Sequence, residues 1–244
     1  MCYSISLKKT KREIEKFYDF FVEPKLEFPL SVYASAFDFP TWPIIHFDSG
    51  LHMKIAGWGL IPRWAKTDKQ AERLRKSCFN ARGETIFRLP SFKKAAESSR
   101  CIVPVSGFFE YMSFAGKKYP HFIYPNDESL FSLGGLFDTY INIERNEILL
   151  TFSIVTTVAN DLMAKIHNSK KRMPLILDRK KTEVWLNTSS SAWEISNIID
   201  PYPSCRMGAY TIRKNFYQPA TDGNYNIAPF DYPELQFLDG INEI

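Results

Sequence analysis

The sequence is poor in the residue patterns that hold metals or disulfides. Its four cysteines, Cys2, Cys78, Cys101 and Cys205, show no paired spacing, and its four histidines, His46, His52, His121 and His167, are scattered along the chain. Structural zinc sites and disulfide frameworks both need clustered ligands, so neither is expected, and Cys78, Cys101 and Cys205 read as ordinary buried thiols. No apolar run approaches the roughly 18 residues that a membrane-spanning helix requires. Lys8 to Lys16 place charge where a secretion leader needs an apolar stretch. There is no internal repeat, long linker or low-complexity segment. A cytoplasmic monomer with no metal, no cofactor and no membrane anchor is the resulting expectation.

What the chain does have is core-forming material. Its 244 residues are 45% hydrophobic and 15% aromatic, with 24% charged. That composition suits a packed domain and excludes disorder, and a single domain over 1–244 is the simplest division. The net charge of +4 is unevenly spread. From Lys54 to Lys94 eleven basic residues face three acids, a net of +8, and Lys165 to Lys181 adds a further +6. From Asp222 to Ile244 there are five acids and no Lys or Arg. Basic segments interleaved with Trp58, Trp64 and Phe79 suit a phosphate backbone with unstacked bases, although charge alone describes a solvated Lys/Arg face equally well.

The pattern of elements points to an α+β fold. Thr10 and Glu13 form a capping box for a helix with Ile14, Phe17, Tyr18 and Phe21 on one face and Pro24 at its end. Strands are expected over 55–60, 101–105, 121–124, 130–136, 148–156, 174–177 and 208–212. Short helices are expected over 91–99, 160–166 with Asn160 as cap, 179–186 after Asp178, and 192–199. Strands and helices do not alternate regularly, which argues against a doubly wound parallel sheet. A mainly antiparallel, barrel-like sheet flanked by short helices fits better.

Chemistry begins at the second residue. Removal of Met1 would leave Cys2 with a thiol and a free α-amine on neighbouring atoms. Such an amine has a pKa of roughly 8 and the thiol roughly 8.5, so both are partly nucleophilic near neutrality. The amine can condense with an aldehyde to an imine, and the thiol can then close on the imine carbon to give a thiazolidine. A lone thiol cannot do this.

The remaining motifs fall in a defined order. They are Gly57-Trp58-Gly59-Leu60-Ile61-Pro62 with Trp64, Asn80-Ala81-Arg82-Gly83-Glu84-Thr85, and Arg100-Cys101-Ile102-Val103-Pro104 with Gly107-Phe108-Phe109-Glu110-Tyr111. Thr156-Thr157-Val158-Ala159-Asn160 follows, and then His167 ahead of Arg172-Met173-Pro174-Leu175-Ile176-Leu177. Together with Cys2 this series, spanning residues 2–186, resembles the SRAP family, the abasic-site processing proteins that shield damaged single-stranded DNA. The resemblance implies that Cys2 condenses with the ring-opened aldehyde of an abasic deoxyribose, giving a thiazolidine cross-link. An abasic-site lyase side activity and self-removal of Met1 are also implied.

Roles for other residues follow from that resemblance. Glu110, in an apolar Phe-Phe-Glu-Tyr setting, becomes the general acid and base, and His167 a proton shuttle. Asn80 and Arg82 occupy alternate positions of one short segment and would share a face. Asn80 would hold the sugar or the Cys2 terminus, and Arg82 a phosphate. Trp58, Trp64 and Tyr111 become stacking surfaces, with at least one tryptophan in the core. Thr156 or Thr157, together with Arg172, would contact the DNA backbone. Without the resemblance, Glu110 reads as a surface or ion-paired residue and His167 as a helix C-terminal cation.

The sequence departs from the family pattern at three places. Tyr3 and Ser4 stand where Gly and Arg are usual. Four residues, Asn168 to Lys171, separate His167 from Arg172 where one is usual. Tyr33-Ala34-Ser35-Ala36-Phe37 replaces an early Asn-Ile-Ala-Pro motif, and Tyr225-Asn226-Ile227-Ala228-Pro229 occurs near the C-terminus instead. Two other functions fit the residues less fully: an N-terminal-cysteine amidohydrolase or peptidase, and a non-covalent single-stranded DNA-binding module in which Cys2 is idle.

Overall fold

The computed structural model describes residues 2–235 apart from 29, 143–144, 220–224 and 226. Met1, Asn226 and most of the acidic 222–244 segment therefore lie outside the described residues. In chain order the elements begin with strand β1 (Ser4–Leu7), helix α1 (Lys11–Tyr18), β2 (Ser31–Ser35), β3 (Thr41–Phe47) and β4 (Leu51–Trp58). Next come α2 (Asp68–Ser77), β5 (Asn80–Arg82), α3 (Pro90–Ser98), β6 (Arg100–Val105), β7 (Gly107–Phe114) and β8 (Lys117–Pro125). The long strands β9 (Phe131–Asn142) and β10 (Glu147–Val158) are followed by α4 (Asp161–Ile166), β11 (Arg172–Pro174) and β12 (Ile176–Leu177). The series closes with α5 (Arg179–Leu186), α6 (Ala192–Asn197) and β13 (Met207–Thr211).

Strand pairing makes the expected α+β barrel. β10 pairs with β4, β4 with β3, β3 with β6, β6 with β9, and β9 returns to β10, which closes a ring of five strands. Among the described residues, only the contacts of β10 with β4 and with β5 are parallel. Closure removes the exposed edges that an open sheet would offer to other chains. A second, antiparallel sheet runs β13-β8-β7-β1-β2. Its inward side chains, Ile5, Leu7 and Phe108, join the barrel residues Ile45, Trp58, Phe131 and Phe152 in one core. Each such side chain contributes about 1.5–3 kcal/mol by leaving water.

Arg100 is a buried cation in this core. Its guanidinium donates to the carbonyl oxygens of Ala96 and Glu97 in the last turn of α3, and of Trp185 and Asn187 at the end of α5. Two helix C-termini, each carrying partial negative charge, thereby take the place of a carboxylate. The Trp185 indole in turn donates to the carbonyl of Cys101, tying α5 to β6.

Two expectations are corrected. Helix α1 ends at Tyr18, because Asp19 adopts a left-handed conformation with φ of 53°, so Pro24 does not terminate it. Phe21 consequently falls outside the helix and is 76% exposed. Of the three thiols expected to be buried, Cys78 and Cys101 are, whereas Cys205 is exposed in the turn before β13. Among the described residues, no helix is long and apolar enough to cross a membrane.

Candidate active site at the amino terminus

Cys2 enters the structure just ahead of β1 and is fully buried. The Asn80 side chain fixes its backbone, with Nδ2 donating to the Cys2 carbonyl oxygen at 2.9 Å. Asn80 can do this because β5 is pinned from both sides. It pairs in parallel with β10, Asn80 opposite Ile154 and Arg82 opposite Thr156. The preceding residue, Phe79, offers its carbonyl to the backbone N–H of Ile154 and to the Trp58 indole N–H at 3.0 Å. The other amide atom, Asn80 Oδ1, is buried with no hydrogen-bond partner among the described residues. An orphaned acceptor of this kind costs about 1–3 kcal/mol.

Gly59 is required for this arrangement. Its φ of +104° belongs to the left-handed region, and a Cβ there would lie 2.7 Å from the Arg75 carbonyl oxygen. Only glycine lets β4 turn so closely against the end of α2. The turn brings Leu60 N–H onto the Cys78 carbonyl, two residues before Asn80.

Glu110 lies on β7, opposite His121 of β8, and is 5% exposed. Burial pushes its carboxyl up to about 7, because removal from water disfavours the charged form. Burial also raises the Cys2 thiol, and the charge of nearby Glu110 adds to the effect. His167 caps the C-terminal end of α4, whose N-cap is Asn160, as the sequence suggests. Its Nδ1 lies 2.8 Å from the Arg172 carbonyl oxygen and 3.9 Å from Glu110 Oε1. A carbonyl can only accept, so Nδ1 carries the proton and Nε2 the lone pair. Burial lowers the His167 pKa, which favours this neutral ring.

The site therefore combines a protonated thiol, a carboxyl poised near neutrality and a neutral imidazole. A carboxyl that titrates near 7 can both give and take a proton at cellular pH. Among the described residues, no group of three or more His, Cys, Asp or Glu side chains is arranged to hold a metal ion.

The four-residue segment between His167 and Arg172 forms a brace. Asn168 accepts from Ser113 N–H at 3.1 Å and donates to Ser113 O at 2.8 Å, so one side-chain amide extends the ladder of β7. The strand that carries Glu110 and the turn that carries His167 are joined there. Sequence reasoning passed over Asn168, although its place inside an atypical insertion was the available signal.

A family model described as "SOS response associated peptidase (SRAP)" matches residues 1–219. The chain belongs to the SRAP family. It is 37% identical over 157 residues to "Abasic site processing protein YoqW" of Bacillus subtilis (strain 168), covering 64% of this chain and 66% of that one. It is 32% identical over 150 residues to "Abasic site processing protein HMCES" of Gallus gallus, covering 53% of this chain and 44% of that one. The matches thus span about two thirds or less of these relatives' own length. A crystal structure of a Bacteroides thetaiotaomicron protein superposes with a TM-score of 0.83 at 35% identity, covering 90% of this chain and 95% of that chain.

Several SRAP motif residues serve the scaffold here. Trp58 is 0% exposed, its ring stacked on Phe152 at 5.9 Å, so it has no open face for a base and instead holds β5 in place. Thr156 is also fully buried and donates to the Ala81 carbonyl. Arg172 spans Glu84 through both terminal nitrogens and bonds Thr156 O and Oγ1 at 2.8 and 3.0 Å. Its charge is matched by Glu84, and with Thr156 it forms an internal strut between β5, β10 and β11. Glu84, part of the motif quoted from the sequence, was not foreseen as that partner.

Other expected contacts remain at the surface. Arg82 is exposed at the end of β5. Trp64 is 40% exposed, its indole donating to the Pro90 carbonyl at 3.1 Å. With Arg88, Lys93 and Lys94 it lines a shallow hollow. Tyr111 is 37% exposed.

Proposed function

We propose that this protein recognises abasic sites in single-stranded DNA and captures them covalently through Cys2. The reading is carried by one observation: Asn80 anchors the Cys2 backbone in the same buried site as Glu110 and His167. The relatives' names, abasic site processing protein, point the same way.

In this reading, hydrolysis of the Met1–Cys2 peptide bond turns the Cys2 amide nitrogen into an amine. An abasic deoxyribose opens to its C1′ aldehyde. The amine nitrogen attacks C1′, the carbonyl oxygen takes a proton, and the carbinolamine loses water to give an imine. Glu110 supplies the proton for the departing water and accepts one from nitrogen, which its near-neutral pKa permits. The Cys2 sulfur then bonds to C1′ while its proton passes to nitrogen, closing the thiazolidine. The imine also opens a route to β-elimination, and hence to limited strand scission. Neutral His167, whose Nδ1 lies 3.9 Å from Glu110 Oε1, is the proton partner of that carboxyl.

Binding before chemistry is assigned to exposed cations and rings. Arg82 holds a phosphate beside the lesion, while Trp64 with Arg88, Lys93 and Lys94 provides a stacking surface in a basic hollow. Single-stranded DNA suits the site because no partner strand blocks access to C1′. The test is to incubate protein shown to lack Met1 with uracil-containing single-stranded DNA pretreated with uracil glycosylase. A heat-stable adduct is expected with wild-type protein and none with Cys2→Ala; absence of the wild-type adduct contradicts the reading.

A further inference from the structure

A second aromatic cluster lies outside the main core, on the outer face of the five-stranded sheet. Its keystone is Phe216, which comes from the chain after β13 and is 1% exposed. The Phe216 ring stacks on Phe109 at 4.9 Å and 19°, immediately before Glu110. It also meets Tyr33 edge-on at 5.3 Å, Tyr111 at 6.3 Å and Tyr217 at 5.8 Å. The tyrosines keep open surface around this buried ring: Tyr217 is 47% exposed and Tyr111 37%.

The position of the cluster is set by strand register. Ile5 pairs with Phe108 and Ser6 with Gly107. Tyr111 directly follows Glu110 on β7, and the charge of Glu110 acts on both the Cys2 thiol and the Tyr111 hydroxyl. Ser4, standing where the family pattern has arginine, reaches the Tyr33 hydroxyl at 3.5 Å. Tyr225, from the late Tyr-Asn-Ile-Ala-Pro stretch, packs on Tyr33 at 5.5 Å. That late stretch thus meets, in space, the segment which replaces the early motif.

We infer that Tyr33, Tyr111 and Tyr217, held by Phe216, form a stacking ledge for the nucleobase next to the captured lesion. This inference rests on the proposed capture of abasic DNA at Cys2. Exposed aromatic rings gathered around Tyr111, the neighbour of Glu110 on β7, suit a base, which offers a flat face whatever its identity. Arg213 and Lys214, just before Phe216, are exposed and lie over Phe230 and over Tyr119 and Tyr232, which adds positive charge to the same segment. The C-terminal segment, acidic further along, is therefore part of the binding surface at its basic, aromatic beginning.

The experiment places the fluorescent base 2-aminopurine next to the abasic site in a single-stranded oligonucleotide. Fluorescence is read in the covalent adduct and affinity with a non-reactive abasic analogue. Wild-type protein should quench the fluorophore. Tyr217→Ala should relieve the quenching and weaken binding by roughly tenfold, while Tyr217→Phe, which keeps the ring, should restore both. On an oligonucleotide whose neighbouring position also lacks a base, wild type and Tyr217→Ala should bind equally. Adduct formation with equal quenching in wild type and Tyr217→Ala overturns the ledge and leaves the Cys2 reading intact. Failure of the wild type to form any adduct overturns the Cys2 reading itself.

Discussion

Asn80 donates to the carbonyl oxygen of Cys2 at 2.9 Å, joining residues 78 positions apart. This bond fixes the Cys2 backbone at the head of β1. A neutral hydrogen bond of this kind contributes about 0.5–1.5 kcal/mol. Asn80→Ala should therefore slow adduct formation about fivefold, with an unchanged circular dichroism spectrum. Single-turnover rates on abasic single-stranded DNA measure this; an unchanged rate would separate Asn80 from the chemistry.

Glu110 ties activity and stability to pH in opposite ways. Glu110→Gln removes the acid and base and should slow cross-linking by about 10²–10⁴-fold. The folded state binds the Glu110 proton more tightly than the unfolded chain, because burial lifts the pKa from 4.5 to about 7. The stabilisation held by that proton is complete below about 4.5 and is lost as pH rises through about 7. Relative to wild type, Glu110→Gln should gain up to about 3 kcal/mol at pH 8 and nothing near pH 4. Urea unfolding at the two pH values tests this, and a gap that does not widen with pH counts against a buried neutral carboxyl.

The two tryptophans should separate cleanly. Trp58→Ala should cost about 3–5 kcal/mol in stability, whereas Trp64→Ala should leave the melting temperature nearly unchanged and weaken single-stranded DNA binding by about 1–3 kcal/mol. Thermal melts and fluorescence anisotropy on one undamaged oligonucleotide distinguish them. Equal losses of stability would refute the assignment.

Arg172 should behave as a strut. Arg172→Ala leaves Glu84 without its partner and Thr156 with fewer bonds, a loss of about 1–3 kcal/mol in folding. The slope of log affinity against log salt should stay that of the wild type, since Glu84 already neutralises this guanidinium. Arg82→Ala should lower that slope by about one phosphate's worth. A reduced slope in Arg172→Ala would place that residue back on the DNA.

Much of this was legible in the sequence because it is local. Caps at Thr10, Asn160 and Asp178 stand where the sequence puts them, as do the apolar strands over Cys101–Val105 and within β10. Helix α2 went unread because only Ala71 and Leu74 of its ten residues are buried, too few for a periodic signal. Strand β3 was missed because Pro43 sits within it, although Asp48-Ser49-Gly50 marks the turn that follows. The long-range facts were out of reach. That Glu84 takes Arg172, that Asn168 joins β7, and that Phe216 docks on Phe109 are set by barrel closure and chain return, which leave no trace in spacing. The burial of Trp58 and Thr156 was out of reach for a related reason: a motif residue can be needed for the frame that holds the site, and spacing does not separate that role from contact with a substrate.

The central claim is that the Cys2 aminothiol condenses with an abasic aldehyde. Intact mass spectrometry of the purified reaction product tests it most directly. The account predicts one adduct whose mass equals the protein without Met1, plus the DNA strand, minus one water, absent from Cys2→Ala and stable to heat without any reductant. Unmodified protein and DNA at full incubation, or the same adduct formed by Cys2→Ala, would contradict it.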